Sequence, residues 1–236
     1  MIDLINVRKT YPNGTVALDD VTLHIAPGEN VGLVGGSGCG KSTLMRVMLG
    51  FEKPEYGSVF YAQYNVDNVN LGTLRQYLGY CPQTLQIFPG TIADNIRLAA
   101  PLSSDEEVWE AARIACIDED IRRMPMQMET VLGEGGSGLS GGQCQRILIA
   151  RSVINKPKVL FFDEATSALD NITQRKVMDN LREFGCTRVS IAHRLSTVMN
   201  CDRIVVLDKG RIVEDGSPEA LLEQKGYFYK LCIRQQ

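Results

Sequence analysis

No apolar run in this 236-residue chain approaches the roughly 20 residues needed to cross a bilayer. A membrane-spanning segment is therefore not expected, and the chain is expected to be soluble by itself. Its opening residues, Met1 to Arg8, lack the basic start and apolar stretch of a secretory leader. Blocks of like charge are missing as well. Lys and Arg total 25 against 28 Asp and Glu, a formal charge of −3, so neither a nucleic-acid patch nor direct insertion into a bilayer is expected. No Cys-x-x-Cys spacing occurs. The seven cysteines, an odd number scattered through apolar segments, fit reduced thiols better than a disulfide frame or a zinc site. Repeats and low-complexity tracts are absent too, and the length suits one large α/β domain with insertions or two small lobes.

What is present is a change of rhythm along the chain. Short apolar segments, Leu4 to Val7 and Val21 to Ile25, flank the turn-like Tyr11-Pro12-Asn13-Gly14 and predict antiparallel strands. Gly57 to Tyr61 and Tyr77 to Cys81 read as further strands, bounded by Pro54, Gly57 and Pro82. From about Gln86 to Gly138 the texture becomes helical. Ser104 and Glu107 are spaced as a capping box, and Val108, Ala112 and Ala115 share one face. Met124, Met126 and Met128 around Pro125 read as adaptable packing rather than a soft-metal site. After Gly142, helices alternate with the short strands Val159 to Phe162, Arg188 to Ile191 and Arg203 to Leu207, a rhythm that predicts a parallel sheet. A hairpin through Asp208-Lys209-Gly210 and two terminal helical segments complete the pattern.

Two stretches carry phosphate chemistry. Gly35-Gly36-Ser37-Gly38-Cys39-Gly40-Lys41-Ser42 follows the apolar Val31 to Val34 and precedes a helix-capable run, the strand-loop-helix setting of a phosphate cradle. Glycine allows close backbone approach, Lys41 supplies a cation and the Ser42 hydroxyl can reach Mg²⁺. Leu139-Ser140-Gly141-Gly142-Gln143 joins a serine cap to two glycines before Ile147 to Ala150, so its amides and helix dipole can hold a second negative group. Cys39 lies inside the first stretch, either as a thiol whose alkylation blocks nucleotide binding or as a tolerated small residue.

The apolar run Val159 to Phe162 ends in Asp163 and Glu164, which puts both carboxylates at the carboxyl end of a buried strand. There Asp163 can hold a magnesium ion and Glu164 can polarise an attacking water, although capping a helix is the simpler role for such acids. His193 follows the strand ending at Ile191 and Ala192. A catalytic place at the sheet edge and an ordinary structural place are both open to it. His24 has no supporting neighbours and reads as structural.

As an ordered set these residues resemble the nucleotide-binding domain of an ATP-binding cassette transporter. The resemblance spans nearly the whole chain: the loop from Gly35 to Ser42, Gln83 after Tyr80-Cys81-Pro82, Leu139 to Gln143, Asp163-Glu164, Ser167-Ala168-Leu169-Asp170 and His193. It implies an α/β P-loop fold with a mostly parallel core sheet, an antiparallel β-subdomain and an inserted α-helical subdomain. The catalytic core would comprise residues 1–85 and 139–236, and the helical subdomain residues 86–138. It implies ATP and Mg²⁺ as ligands. Tyr11 would stack on adenine, or remain a surface turn residue, and nucleotide contacts would run from Gly35 through Lys41 to Thr43. Ser42, Gln83 and Asp163 would serve the metal, Lys41, Glu164 and His193 catalysis, and Asp170 the coupling of two sites.

The same resemblance implies that Ser140, Gly141, Gly142 and Gln143 of one copy close over ATP on a second copy. The segments 87–96 and 130–135 look like the exporter subgroup, in particular bacterial peptide or bacteriocin exporters. Phe88, Thr91 and Glu134 would then lie near intracellular loops of a transmembrane part, at the cytoplasmic face of the plasma membrane. Cys144 departs from the polar residue many relatives have, but leaves the glycine amides intact. A DNA-repair cassette ATPase would carry long coiled coils or zinc-binding cysteine pairs. A small-molecule kinase would leave Leu139 to Gln143 without a purpose.

Overall fold

A computed structural model describes residues 1–192 and 194–233. The chain divides into two compact units, Met1–Leu78 with Thr187–Gln236, and Gly79–Cys186.

The first unit opens with β1 (Ile2–Thr10) and β2 (Val16–Ile25), which pair antiparallel across the predicted turn. Alternation sets the register: Val21, Leu23 and Ile25 point inward, while Thr22 and His24 face out. β3 (Asn30–Val34) is buried along its whole length, the mark of a central strand covered on both faces. The phosphate loop leads from it into α1 (Lys41–Met48). Next come β4 (Tyr56–Tyr61), β5 (Tyr64–Asn65) and the short α2 (Leu71–Arg75). The antiparallel sheet has the order β2-β1-β4-β5, which is the expected β-subdomain.

The second unit begins at β6 (Leu78–Cys81). A two-residue strand β7 (Gly90–Thr91) leads into α3 (Ile92–Arg97), followed by α4 (Asp105–Ile114) and α5 (Asp118–Arg122). β8 (Val131–Leu132) returns antiparallel to β7, a pairing inside the helical segment that the sequence did not suggest. The capping box predicted for α4 is present, Ser104 and Glu107 each accepting from the other's backbone N–H. Those bonds hold the Glu107 carboxyl below its ordinary range, so the cap is complete at neutral pH and weakens as acid protonates it. Of the three methionines, Met128 is buried and Met124 packs on the core, whereas Met126 is exposed, which corrects the packing expectation for that residue.

The long α6 (Gly141–Val153) then leads to β9 (Val159–Asp163) and α7 (Asn171–Glu183). One apolar core joins Ile92, Ile96, Val108 and Ile121 to Ile147, Leu148, Leu160 and Val177, all essentially inaccessible. Each such side chain contributes about 1.5–3 kcal/mol by leaving water.

The chain returns to the first unit with β10 (Thr187–Ile191), α8 (Leu195–Val198), β11 (Arg203–Asp208) and β12 (Arg211–Gly216). β3 lies between β10 and β11, parallel to both, as the alternating rhythm predicted. β11 and β12 form the expected hairpin, with Lys209 and Gly210 both at positive φ in its tight turn. α9 (Pro218–Glu223) and α10 (Tyr227–Ile233) bring Leu221 and Phe228 onto Ile204 and Val206. Among the described residues, no helix is long and apolar enough to cross a membrane.

Candidate functional site

The phosphate loop is packed on one side and open on the other, and its glycines divide accordingly. A Cβ on Gly35 would collide with the carbonyl oxygen of Leu207, and one on Gly40 with that of Ala17. At Gly36 and Gly38 a Cβ would meet nothing. The Gly210 N–H braces the loop from behind by donating to the Cys39 carbonyl at 3.0 Å, while the Gly210 carbonyl accepts from Asp19. Gly40 stands at the start of α1 in the left-handed region, without a side-chain cap, and the first turn has no acidic residue. A helix start of this kind leaves its first amides and the positive end of its dipole for an anion.

Lys41 is 6% exposed and lies across the loop, donating to the carbonyls of Gly35 at 2.8 Å and Gly36 at 2.9 Å. Cys39 is equally buried, its sulfur 3.5 Å from the lysine nitrogen. Tyr11 joins this group: its hydroxyl lies 3.2 Å from Thr43 Oγ1 and donates to Glu52 at 2.9 Å. The first unit therefore gathers Tyr11 with the whole segment from Gly35 to Thr43.

The second glycine helix start has a different physical character. Ser140 caps α6 by accepting from the Gln143 N–H at 3.2 Å, and Gln143 accepts from the Ser140 N–H at 2.9 Å. Ser140 and Gly141 are nonetheless exposed. Asp120 reaches this turn from α5, accepting from Gln143 Nε2 at 3.2 Å and from Arg146 at 2.7 Å. The Arg146 guanidinium also donates to the Gly142 carbonyl.

At the end of β9 the chain leaves the strand through Glu164, which sits at φ 54°, a left-handed conformation that costs a residue with a long side chain about 1–2 kcal/mol. Its carbonyl accepts from the Ser167 N–H at 3.1 Å and from Gln145 Nε2 at 3.3 Å. Gln145, 1% exposed, also accepts from the Ala168 N–H at 2.8 Å. One amide side chain thus clamps the acidic turn onto α6. It belongs to the site and was missed, although a polar residue one turn after Gly141, among Cys144, Ile147 and Leu148, was a visible signal. Burial pushes the Cys81 thiol up to about 12, with Arg151 pulling it down and the Asp163 carboxylate adding to the rise. The Cys81 thiol is therefore neutral at physiological pH.

The other predicted residues are distributed as follows. Gln83 is exposed, just past β6. Asp170 caps α7, accepting from the Ile172 and Thr173 N–H groups, and the Thr173 bond leads in holding its carboxyl below the ordinary range. Phe88 is half exposed under the Arg151 guanidinium, with the buried Asn95 bonded to its backbone. Thr91 caps α3 in a box with Asp94, and Glu134 is exposed. His193 lies outside the described residues.

The α/β core, the glycine cradle and the second glycine helix start define a P-loop ATPase domain. Comparison with known proteins narrows that class. A model of the ABC transporter family matches residues 18–167, and the chain belongs to that family. It is 43% identical over 234 residues to the alpha-hemolysin translocation ATP-binding protein HlyB of Escherichia coli, which covers 98% of this chain and 33% of that protein. It is 40% identical over 221 residues to the mitochondrial iron-sulfur clusters transporter ABCB7 of Oryzias latipes, covering 93% of this chain and 30% of that protein. A solved bacterial Atm1-family ABC exporter with ATP bound superimposes with a TM-score of 0.96 at 38% identity, covering 99% of this chain and 41% of that one. The chain is an exporter-type nucleotide-binding domain with the ABC ATPase fold, and it spans about a third of the length of these curated relatives.

Proposed function

We propose that this domain is the motor of an exporter: two copies close head to tail over two ATP molecules, and hydrolysis reopens them. The observation that carries the reading is the uncapped start of α1, with the open glycine backbone at Gly36 and Gly38 in front of it. That surface suits a polyphosphate, because amides and a helix dipole bind it without the reorganisation that water would require. In this reading Lys41 turns from the loop carbonyls to the terminal phosphates and Tyr11 takes the adenine. Ser140, Gly141, Gly142 and Gln143 meet the nucleotide of the second copy. Ser42, Gln83 and Asp163 would hold Mg²⁺, whose charge would neutralise the phosphates. Glu164 orients and deprotonates the attacking water, and His193 assists at the terminal phosphate.

The partner domains follow from the same reading. Phe88, Thr91 and Glu134 face a transmembrane part at the cytoplasmic side of the plasma membrane, and the cargo is a peptide. The relatives' printed cargoes differ, alpha-hemolysin for one and iron-sulfur clusters for another, so the peptide reading stands on the resemblance of 87–96 and 130–135 alone.

Glu164→Gln tests the core of the proposal. Loss of the general base should lower turnover by about 10²–10⁴-fold while phosphate contacts remain, so the variant should elute as a dimer on size-exclusion chromatography with ATP. A monomer that hydrolyses ATP at the parental rate would overturn the assignment.

A further inference from the structure

The geometry points to Glu52 as the positioning residue of the adenine platform, a role that rests on the reading of Tyr11 above. α1 ends at Met48 with Leu49 as its C-cap, and Gly50 at φ 65° turns the chain back so that the N–H groups of Phe51 and Glu52 both reach the Arg46 carbonyl. This reversal brings the Glu52 carboxylate to the hydroxyl of Tyr11. Glu52 is an acceptor only, so the single phenolic proton of Tyr11 goes to Oε1 at 2.9 Å. The Thr43 hydroxyl, 3.2 Å away, must then donate to the Tyr11 oxygen. A directed chain results, Thr43 to Tyr11 to Glu52, linking the first turn of the phosphate-loop helix to the ring.

Lys9 closes the arrangement from above. Its ammonium lies 5.8 Å from the Tyr11 ring centroid, 3.7 Å from Glu52 Oε2, and bonded to the Lys53 carbonyl at 2.8 Å. Arg46 approaches Oε1 at 3.5 Å. The carboxylate is thus held by two cations while it fixes the far end of the ring. An aromatic platform gains little from a base if the ring must first be ordered, since immobilising a side chain costs part of the stacking gain. Glu52 removes that cost in advance and sets the distance between the base site and the phosphate cradle.

The test compares ATP with inorganic tripolyphosphate, which offers the same phosphates without a base, by calorimetry on this chain. Glu52→Leu should weaken ATP binding about five- to tenfold, the scale of one lost positioning hydrogen bond, and leave tripolyphosphate binding at the parental value. Glu52→Gln keeps a carbonyl acceptor for the phenol and should restore ATP binding. Tyr11→Phe should match Glu52→Leu, and the double variant should be no worse than either. Equal ATP binding by Glu52→Leu and parent, or equal losses of ATP and tripolyphosphate, would overturn the role of Glu52. If Tyr11→Ala weakens ATP while Glu52→Leu does not, only the Glu52 assignment fails. If Tyr11→Ala leaves ATP binding unchanged, the platform reading falls, and Glu52 with it.

Discussion

Two helices in this protein begin with glycines, and they treat their free amides in opposite ways. α1 starts at Gly40 with no cap of its own, its loop wedged against Ala17 and Leu207 and its lysine folded in. α6 starts at Ser140 with a complete capping box, exposed at Ser140 and Gly141. The first leaves its amino end without a side-chain cap, and in the proposed function a phosphate group satisfies it. The second is a finished helix start in which a Cβ on Gly141 would meet only Ala168 at 3.8 Å, while one on Gly142 would come within 3.2 Å of the Ala168 carbonyl oxygen. In the proposed function it docks onto nucleotide bound to a second copy. The overlap that glycine avoids is severe in the first, at Gly35 and Gly40, and mild in the second, at Gly142.

Four substitutions probe that contrast, in decreasing order of effect. Lys41→Ala should weaken ATP binding about a hundredfold or more, because each charge-assisted contact contributes about 1.5–3 kcal/mol and a triphosphate offers several; calorimetry showing tight binding would contradict the cradle. Gly40→Ala should cost about 2–5 kcal/mol of unfolding free energy, adding left-handed strain to a clash with the Ala17 carbonyl. Denaturant titration reads it directly. Ser140→Ala should cost only about 1 kcal/mol, the value of a cap, and should also reduce the ATP-dependent dimer seen by chromatography. Gly141→Ala, where a Cβ would meet only Ala168 at 3.8 Å, should leave stability within about 0.5 kcal/mol of the parent yet still lower dimer formation. Were Gly141→Ala as damaging to folding as Gly40→Ala, the two helix starts would not differ as described.

Much of this was legible in the sequence because the features are local. Glycine spacing dictates the loop, Ser140 and Gln143 dictate the cap, and the apolar run before Asp163 dictates a buried strand end. Alternation gave β2 its inward face, and the hairpin at Lys209-Gly210 followed from turn chemistry. What escaped were bonds between residues distant in sequence. Glu52 bonded to Tyr11, Gln145 beneath Glu164 and Asp120 beside Gln143 depend on how elements pack, and no window of the chain contains both partners. The left-handed Glu164 escaped for the same reason, since its conformation is enforced by Gln145 and Ser167 rather than by its own preference. The β7–β8 pair joins residues on either side of three helices, beyond any periodicity argument.

The bond from Gly210 to Cys39 has a consequence for biogenesis. The phosphate cradle at Gly35 to Ser42 is buttressed by a turn at Lys209-Gly210, remote from it in sequence. Bringing such remote stretches together carries a loop-closure penalty and slows folding relative to neighbours in sequence. Completion of the cradle should therefore be a late event in folding, following the hairpin that supports it.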